Sequence, residues 1–517
     1  MNDREAEKPA APDSKANATD RMIADFVAVY FVVVILVFAA SGPMAEFVRW
    51  FIETTTAGFE ELSRRDQRLL LREHWLGSAH RSFERAFLLP TGLILGLPIL
   101  LSFAITYLTL FSSPRLRWLN WLLALMSVFT FSMWIANLFA IDGGVLPAAR
   151  PIDFVLFPLA TVLTLYLTYR FFGTFIVGFC LFWIIYFFVR GYLPDWTGIF
   201  AGSESTLAQS MRAMVLNFWA QTGGMFGQPI QVVSGNVLIF IVFGAVLMAS
   251  GAGDLLMKIA NRLTGGFTGG AAHAAVASSA LFGTLSGAAI SNVVSTGVMT
   301  IPVIKKSGFR PAFAGAVEAA ASTGGQLMPP VMGAGAFIMA SYTQIPYVDI
   351  ISIAALPALL YFMSVGFFVR IEAMRSHAET VELDSRPLGE VFKDGWHYLL
   401  PLVVLVMLLI YGFTPTYAAG ISIISVVVAS WLSKHPMGLK DILDALAQGS
   451  KNMATTAMLL IAVGLVVNVV AMTGIGNTFS LMVTEWASGS LLITLILIAL
   501  ASLILGMGLP VTASYIV

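Results

Sequence analysis

The chain has 517 residues, 58% hydrophobic and 11% charged, with equal numbers of acidic and basic side chains and a net charge of zero. Soluble domains run at about 45–50% apolar and 25% charged, so this composition, with several apolar runs of membrane length, identifies a polytopic membrane protein. The neutral balance and the lack of a long basic run argue against nucleic acid as a partner.

In chain order, residues 1–21 are polar and rich in Ala, Pro, Asp and Lys, with no apolar core or cleavage site. They read as a disordered tail, not a signal peptide. Membrane segments are predicted near 24–41, 86–110, 118–140, 152–170, 171–190, 230–250, 311–341, 347–370, 397–412, 415–432 and 453–473. The stretches 43–85 and 204–222 are too polar to span, and the second is predicted to lie at an interface. The single Cys180 falls in the apolar run 171–189, so it forms no internal disulfide and reads as structural.

Two further elements read as re-entrant hairpins, at 271–304 and 490–517. The first has 34 residues without an Asp, Glu, Lys or Arg, yet its centre, Gly283-Thr284-Leu285-Ser286-Gly287-Ala288-Ala289-Ile290-Ser291-Asn292, is small, polar and helix-breaking. Each arm beside the break holds about a dozen residues, roughly 20 Å of helix, too short to cross the hydrocarbon core. Open backbone at membrane depth is tolerated only where it is buried in protein or lines a polar cavity, which is how transporters build midplane sites.

A shift of 223 positions places Ser250-Gly251-Ala252-Gly253-Asp254 on Thr473-Gly474-Ile475-Gly476-Asn477, Gly283 on Gly506 and Ser291 on Ser514. The matches follow apolar runs and precede broken helices in both copies, which makes an internal repeat. Lys and Arg gather at 115–117, 170, 258–262, 305–310, 370–375 and 434–451, which puts the N-terminus and these loops inside, although the loop 43–85 carries both Arg and acidic residues outside. Five predicted crossings separate Gly253 from Gly476. The second copy is therefore expected upside down, the arrangement of secondary transporters. Carrying the repeat onward, the counterpart of 295–373 needs roughly 80 more residues, so the C-terminal end is expected to be missing from this chain.

The tips offer oxygen ligands. Ser291, Asn292, Thr296, Gly324, Gly325, Gly508, Thr512 and Ser514 are candidate Na+ ligands through hydroxyls, an amide and freed carbonyls. Ser286, Gly287, Ser291, Asn292, Gln326, Pro510 and Thr512 are candidate substrate-binding residues. Close helix packing also favours small residues and competes with this reading at each isolated Gly or Ser. Ser322-Thr323-Gly324-Gly325-Gln326-Leu327-Met328-Pro329-Pro330 is a third break, since two Gly followed by two Pro interrupt the helical ladder. Glu318 is the only charged residue between Pro311 and Thr343, either functional, snorkelling to the interface or hydrogen-bonded in packing.

Other chemistries fit poorly. Gly251-Ala252-Gly253-Asp254 matches the GxGD pattern of intramembrane aspartyl proteases, but no convincing second carboxylate lies in a span and the repeat copy has Asn477. The motif reads instead as a helix end. The six His show no paired metal spacing, and no GxxxxGK(S/T) loop supplies an ATPase. The chain does not read as an enzyme.

Ala280 to Gly287, Thr300 to Gly308 and, above all, Phe313 to Gly333 resemble the fused membrane permeases of TRAP (tripartite ATP-independent periplasmic) transporters of the TAXI type. Thr222 to Gly227 and Gly506-Met507-Gly508-Leu509-Pro510 are similar to that family too. The resemblance implies an all-α polytopic fold with inverted repeats and two re-entrant hairpins. It implies a small-subunit-like scaffold over 22–200 fused to a large transport subunit over 201–517. It further implies elevator-type, Na+-coupled uptake of organic acids across the bacterial inner membrane, delivered by a periplasmic TAXI-type substrate-binding protein. A carrier or exchanger working without a binding protein is the alternative, and a channel is disfavoured because paired hairpins suit alternating access.

Overall fold

Glycines divide the chain into helices at the positions where the repeat requires it. The computed structural model describes residues 22–30, 99–100, 102–107, 117–142, 145–202, 206–219, 224–376, 378, 387–433, 436–506 and 511–516, and among these there is no strand. The tail 1–21, the Arg-rich loop 43–85, Gly508 and Pro510 lie outside the described residues.

After helical stretches at 22–30 and 102–107 come three apolar helices: α1 (Arg117–Asp142), α2 (Asp153–Phe172) and α3 (Thr174–Val189). A short helix, α4 (Leu207–Met214), is capped at Thr206, whose hydroxyl accepts from Gln209 N while the Gln209 side chain accepts from Thr206 N. Beyond α4 the stretch read as interfacial, 204–222, enters the protein interior. Residues Val215, Phe218 and Trp219 just beyond α4 are fully buried. Trp219 Nε1 donates to Asp153 Oδ1 at 3.1 Å, and Trp134 Nε1 donates to the Trp219 carbonyl at 3.0 Å. Asp153 also accepts a two-point contact from Arg150. The bonds of Trp219 to Trp134 and Asp153 tie the 22–200 region to the main core, and Cys180 Sγ donates to the Ala462 carbonyl at 3.5 Å in a smaller cluster of its own.

The long helix α5 (Gln228–Ala249) ends at Gly251, whose φ of 102° only glycine adopts readily, and α6 (Ala252–Thr264) follows. Two hundred and twenty-three residues on, α15 (Leu439–Thr473) ends at Gly474, φ 71°, and α16 (Ile475–Trp486) follows. The GxGD match is thus a helix boundary in both copies. Next come Gly269 (φ 74°) and α7 (Gly270–Ser286) in the first copy, and Gly489 (φ 77°) and α17 (Leu491–Gly506) in the second. The hairpins then return as α8 (Ala289–Lys306) and α18 (Val511–Ile516).

After the first hairpin lie α9 (Pro311–Gly324) and α10 (Ala334–Thr343), which flank the third break, then α11 (Tyr347–Ser376), α12 (Leu388–Gly395), α13 (Leu400–Ile410) and α14 (Pro415–Ser430). Six helices among the described residues are long and apolar enough to cross a membrane. Three details differ from expectation. The arms of the first hairpin have 17 and 18 residues, not about a dozen, because Gly283 stays helical and only Gly287-Ala288 breaks. Helix α15 begins at Leu439, well before 453, so its 35 residues exceed the roughly 20 that a bilayer needs. Gly324 (φ −60°) and Gly325 (φ −57°) are helical, and the backbone extends only at Met328 (φ −82°, ψ 118°).

Lipid supplies little hydrophobic drive for helix association, so close backbone approach at small residues matters more. A Cβ on Gly449 would lie 2.9 Å from Val242 Cα, and one on Gly464 would lie 2.8 Å from the Met225 carbonyl oxygen. These contacts set α15 against α5 and the loop before it. A second apolar cluster is separate from the main core. It gathers Ala272, Ala275, Ile304, Ala314, Ala321 and Val369 from the hairpin arms, α9 and α11. On α8, Ile290, Val294 and Val298 stand 68%, 64% and 73% exposed.

The inverted relation has a direct test. Lys306 and Asn477 are both exposed. In a Cys180→Ser background, Cys at position 306 is expected to react with a membrane-impermeant maleimide only after the membrane is opened, and Cys at 477 in intact spheroplasts. Labelling of both from one side would make the repeat parallel.

Candidate functional site

The tip of the first hairpin meets the third break. Gly287 closes α7 at φ 56°, and a Cβ there would lie 2.4 Å from the Met332 carbonyl oxygen. One turn earlier, a Cβ on Gly283 would lie 2.4 Å from Gly325 Cα. Two chain breaks therefore touch backbone to backbone. The extended segment is held by Gly333 N donating to the Gln326 carbonyl at 2.8 Å and Tyr347 Oη donating to the Pro330 carbonyl at 2.8 Å.

Beside this junction is a cavity of about 830 Å³. Helix α5 forms one wall, the hairpin tip and Gln326 another, and α15 the third; Thr512 of α18 reaches it as well. Its volume falls within the roughly 300–1,000 Å³ of small-molecule sites. The first residues of α8, Ala289, Ile290 and Ser291, line it, and the preceding Ala288 gives no side-chain cap. Their backbone N–H groups are the open positive end of a half-helix, suited to an anionic group. Among the described lining residues the charged ones are Asp441 and Asp444; none is Lys or Arg.

Of the predicted substrate residues, Ser286, Gly287, Ser291, Gln326 and Thr512 come together on this cavity, while Asn292 turns away from it. The predicted ion ligands divide. Ser291 and Thr512 line the cavity, and Ser514 is half-buried on α18 outside its lining. Asn292 and Thr296 point into the protein, 1% and 0% exposed. Gly324 packs on Tyr361 and Gly325 on Gly283 and Asn292, so both serve close approach and lie short of the unwound segment.

Sequence reasoning missed the third wall. Asp441, Asp444, Gln448, Asn452, Thr455, Thr456 and Leu459 repeat at three to four residues, the signal of one helical face, but they precede or begin the apolar run that marked the span. It also left Glu318 undecided. That side chain is 1% exposed and does not snorkel. Its Oε1 accepts from Thr296, from Ser322 at 3.1 Å and from Ser279 at 3.3 Å, and its Oε2 accepts from Thr300.

Residues 159–517, well over half of the chain, match the family model described as tripartite ATP-independent periplasmic transporter, DctM component. The chain belongs to this DctM family. Relatives include an uncharacterized protein, YgiK, of Salmonella typhimurium, 27% identical over 44% of this chain and 51% of its own length. The sialic acid TRAP transporter large permease protein SiaM of Vibrio cholerae is 24% identical over 44% of this chain and 53% of its own. The C4-dicarboxylate TRAP transporter large permease protein DctM of Pseudomonas aeruginosa is 27% identical over 41% and 50%. The chain spans about half the length of these curated relatives. As a DctM-family chain with six described helices of membrane length, it is a multi-pass protein of the bacterial inner membrane.

Proposed function

We propose that this chain is the permease of a secondary importer that takes up organic acids handed over by a periplasmic substrate-binding protein of the TAXI type, coupled to Na+. The observation that carries the reading is the cavity beside two touching chain breaks, with an uncapped half-helix N-terminus on its wall. A carboxylate there meets backbone donors and the helix dipole without needing a buried Lys or Arg. Two relatives are named for acids, sialic acid and C4-dicarboxylate, which agrees with that chemistry.

The donor set suits Na+ as well as the acid. Asn292 Oδ1 is buried with no hydrogen-bond partner among the described residues, an orphaned hard oxygen that a cation would satisfy. Ser291 and Thr512 bring hydroxyls from the two hairpins to the cavity, and the tip carbonyls are near. An elevator motion fits the separation of the hairpin-base cluster from the main core, since the two cores need not deform to slide past each other.

Full-length permease reconstituted with its binding protein is expected to take up solute only under an inward Na+ gradient. Equal uptake in choline buffer driven by a proton gradient would remove the Na+ assignment. Uptake undiminished without the binding protein would favour a carrier that works alone.

A further inference from the structure

Glu318 sits on α9 with no cationic partner among the described residues, and the side chains that hydrogen-bond to it are all hydroxyls. A buried carboxylate without a counter-charge is costly, so its neighbours should be organised to compensate it. Ser279, Thr296 and Ser322 are fully buried and Thr300 nearly so. Ser279 Oγ lies 3.4 Å from both Thr296 Oγ1 and Ser322 Oγ, so oxygens from α7, α8 and α9 crowd one point. Gly297 allows the approach, since a Cβ there would lie 3.1 Å from Glu318 Cγ.

The protons do not suffice for every bond this geometry draws. Each Thr hydroxyl has one hydrogen. Thr296 Oγ1 is placed to donate to the Asn292 carbonyl at 2.8 Å, and Thr300 Oγ1 to the Thr296 carbonyl at 3.0 Å, the usual back-bond of a helical Thr. A hydrogen used there is not available to Glu318, which leaves lone pairs facing lone pairs. The second, independent sign is the orphaned Asn292 Oδ1, one turn before Thr296 on the same face of α8.

We infer that Glu318 is the charged ligand of a Na+ site completed by the hydroxyls of Ser279, Thr296, Thr300 and Ser322. The inference rests on the Na+-coupled reading above and moves the ion from the cavity wall into the seam between the hairpin and α9. A monovalent cation supplies the missing positive charge and takes the unused lone pairs at once. Hard oxygen ligands of this type suit an alkali cation and not a soft metal ion.

The test uses purified full-length permease, with thermal unfolding followed over a NaCl titration against choline chloride at equal ionic strength. Ligand that binds only the folded state raises the midpoint in a concentration-dependent way. Wild type is expected to be stabilised by Na+ specifically. Glu318→Gln keeps the size and is expected to shift the effective Na+ concentration upward by roughly tenfold or more, with Thr300→Val shifting it the same way by less. The same order is expected for the Na+ dependence of uptake. If both variants keep the wild-type Na+ response, the Glu318 assignment falls while Na+ coupling stands. If wild type responds to Na+ no more than to choline, the coupling ion itself is wrong and both readings fall. Should Glu318→Gln fail to insert, Thr300→Val alone decides.

Discussion

Replacing Gly283 by Ala is expected to abolish uptake, whereas the same change at Gly315 leaves it intact. At 283 the new methyl would meet Gly325 Cα at 2.4 Å, and backbone cannot rotate away as a side chain can. Overpacking costs about 1–3 kcal/mol, and here it also separates the hairpin from the broken helix that it must contact. At Gly315, on α9, an added Cβ would meet nothing within 4 Å, so Ala gains roughly 1 kcal/mol of helix propensity. Gly287→Ala should be as damaging as Gly283→Ala, because φ 56° strains any side chain and the Met332 oxygen is 2.4 Å away. Uptake in proteoliposomes and the thermal midpoint of each variant check this. Equal behaviour of the 283 and 315 variants would mean that the close junction does not form.

Filling the cavity should be equally decisive. Thr456→Trp projects from α15 into the 830 Å³ space opposite the hairpin tip. Uptake is expected to fall by roughly tenfold or more, since a solute that buries most of its surface has no volume left to occupy. Leu360→Trp on α11, at a position 55% exposed, adds the same ring outside the cavity and is expected to transport normally. Membrane insertion of both should match wild type. If Thr456→Trp still transports, solute does not pass through this cavity.

Much of this architecture could be read from residues alone, and the reasons are local. Gly287 between two apolar arms, the repeated Gly251 and Gly474, and Pro329-Pro330 each impose a break through backbone sterics, which need no knowledge of neighbours. What escaped depends on what faces what. The first turns of α15 look like a loop because Lys440, Asp441, Asp444 and Lys451 lower their hydropathy, yet one face of them walls the cavity. Gly324 and Gly325 look like the unwound point, but their value is the space that they leave for Tyr361, Gly283 and Asn292. Glu318 could not be placed because its partners come from three helices. Only Ser322, four residues along α9, was visible as a neighbour.

Helix α8 carries two stripes with the same four-residue spacing, two residues out of phase. Asn292, Thr296 and Thr300 turn inward, where every polar atom is tied to a specific partner or lacks one. Ile290, Val294 and Val298 present only aliphatic carbon, the first two to the cavity. Advancing the aliphatic stripe by one turn of about 5.4 Å would exchange one branched alkyl group for another. The inner stripe has no such equivalence, because a one-turn slip would set Thr300 where Thr296 belongs and strand the carboxylate. A one-turn shift of this helix would thus be tolerated on its aliphatic face and not on the face that meets Glu318, so register is set by the polar stripe alone.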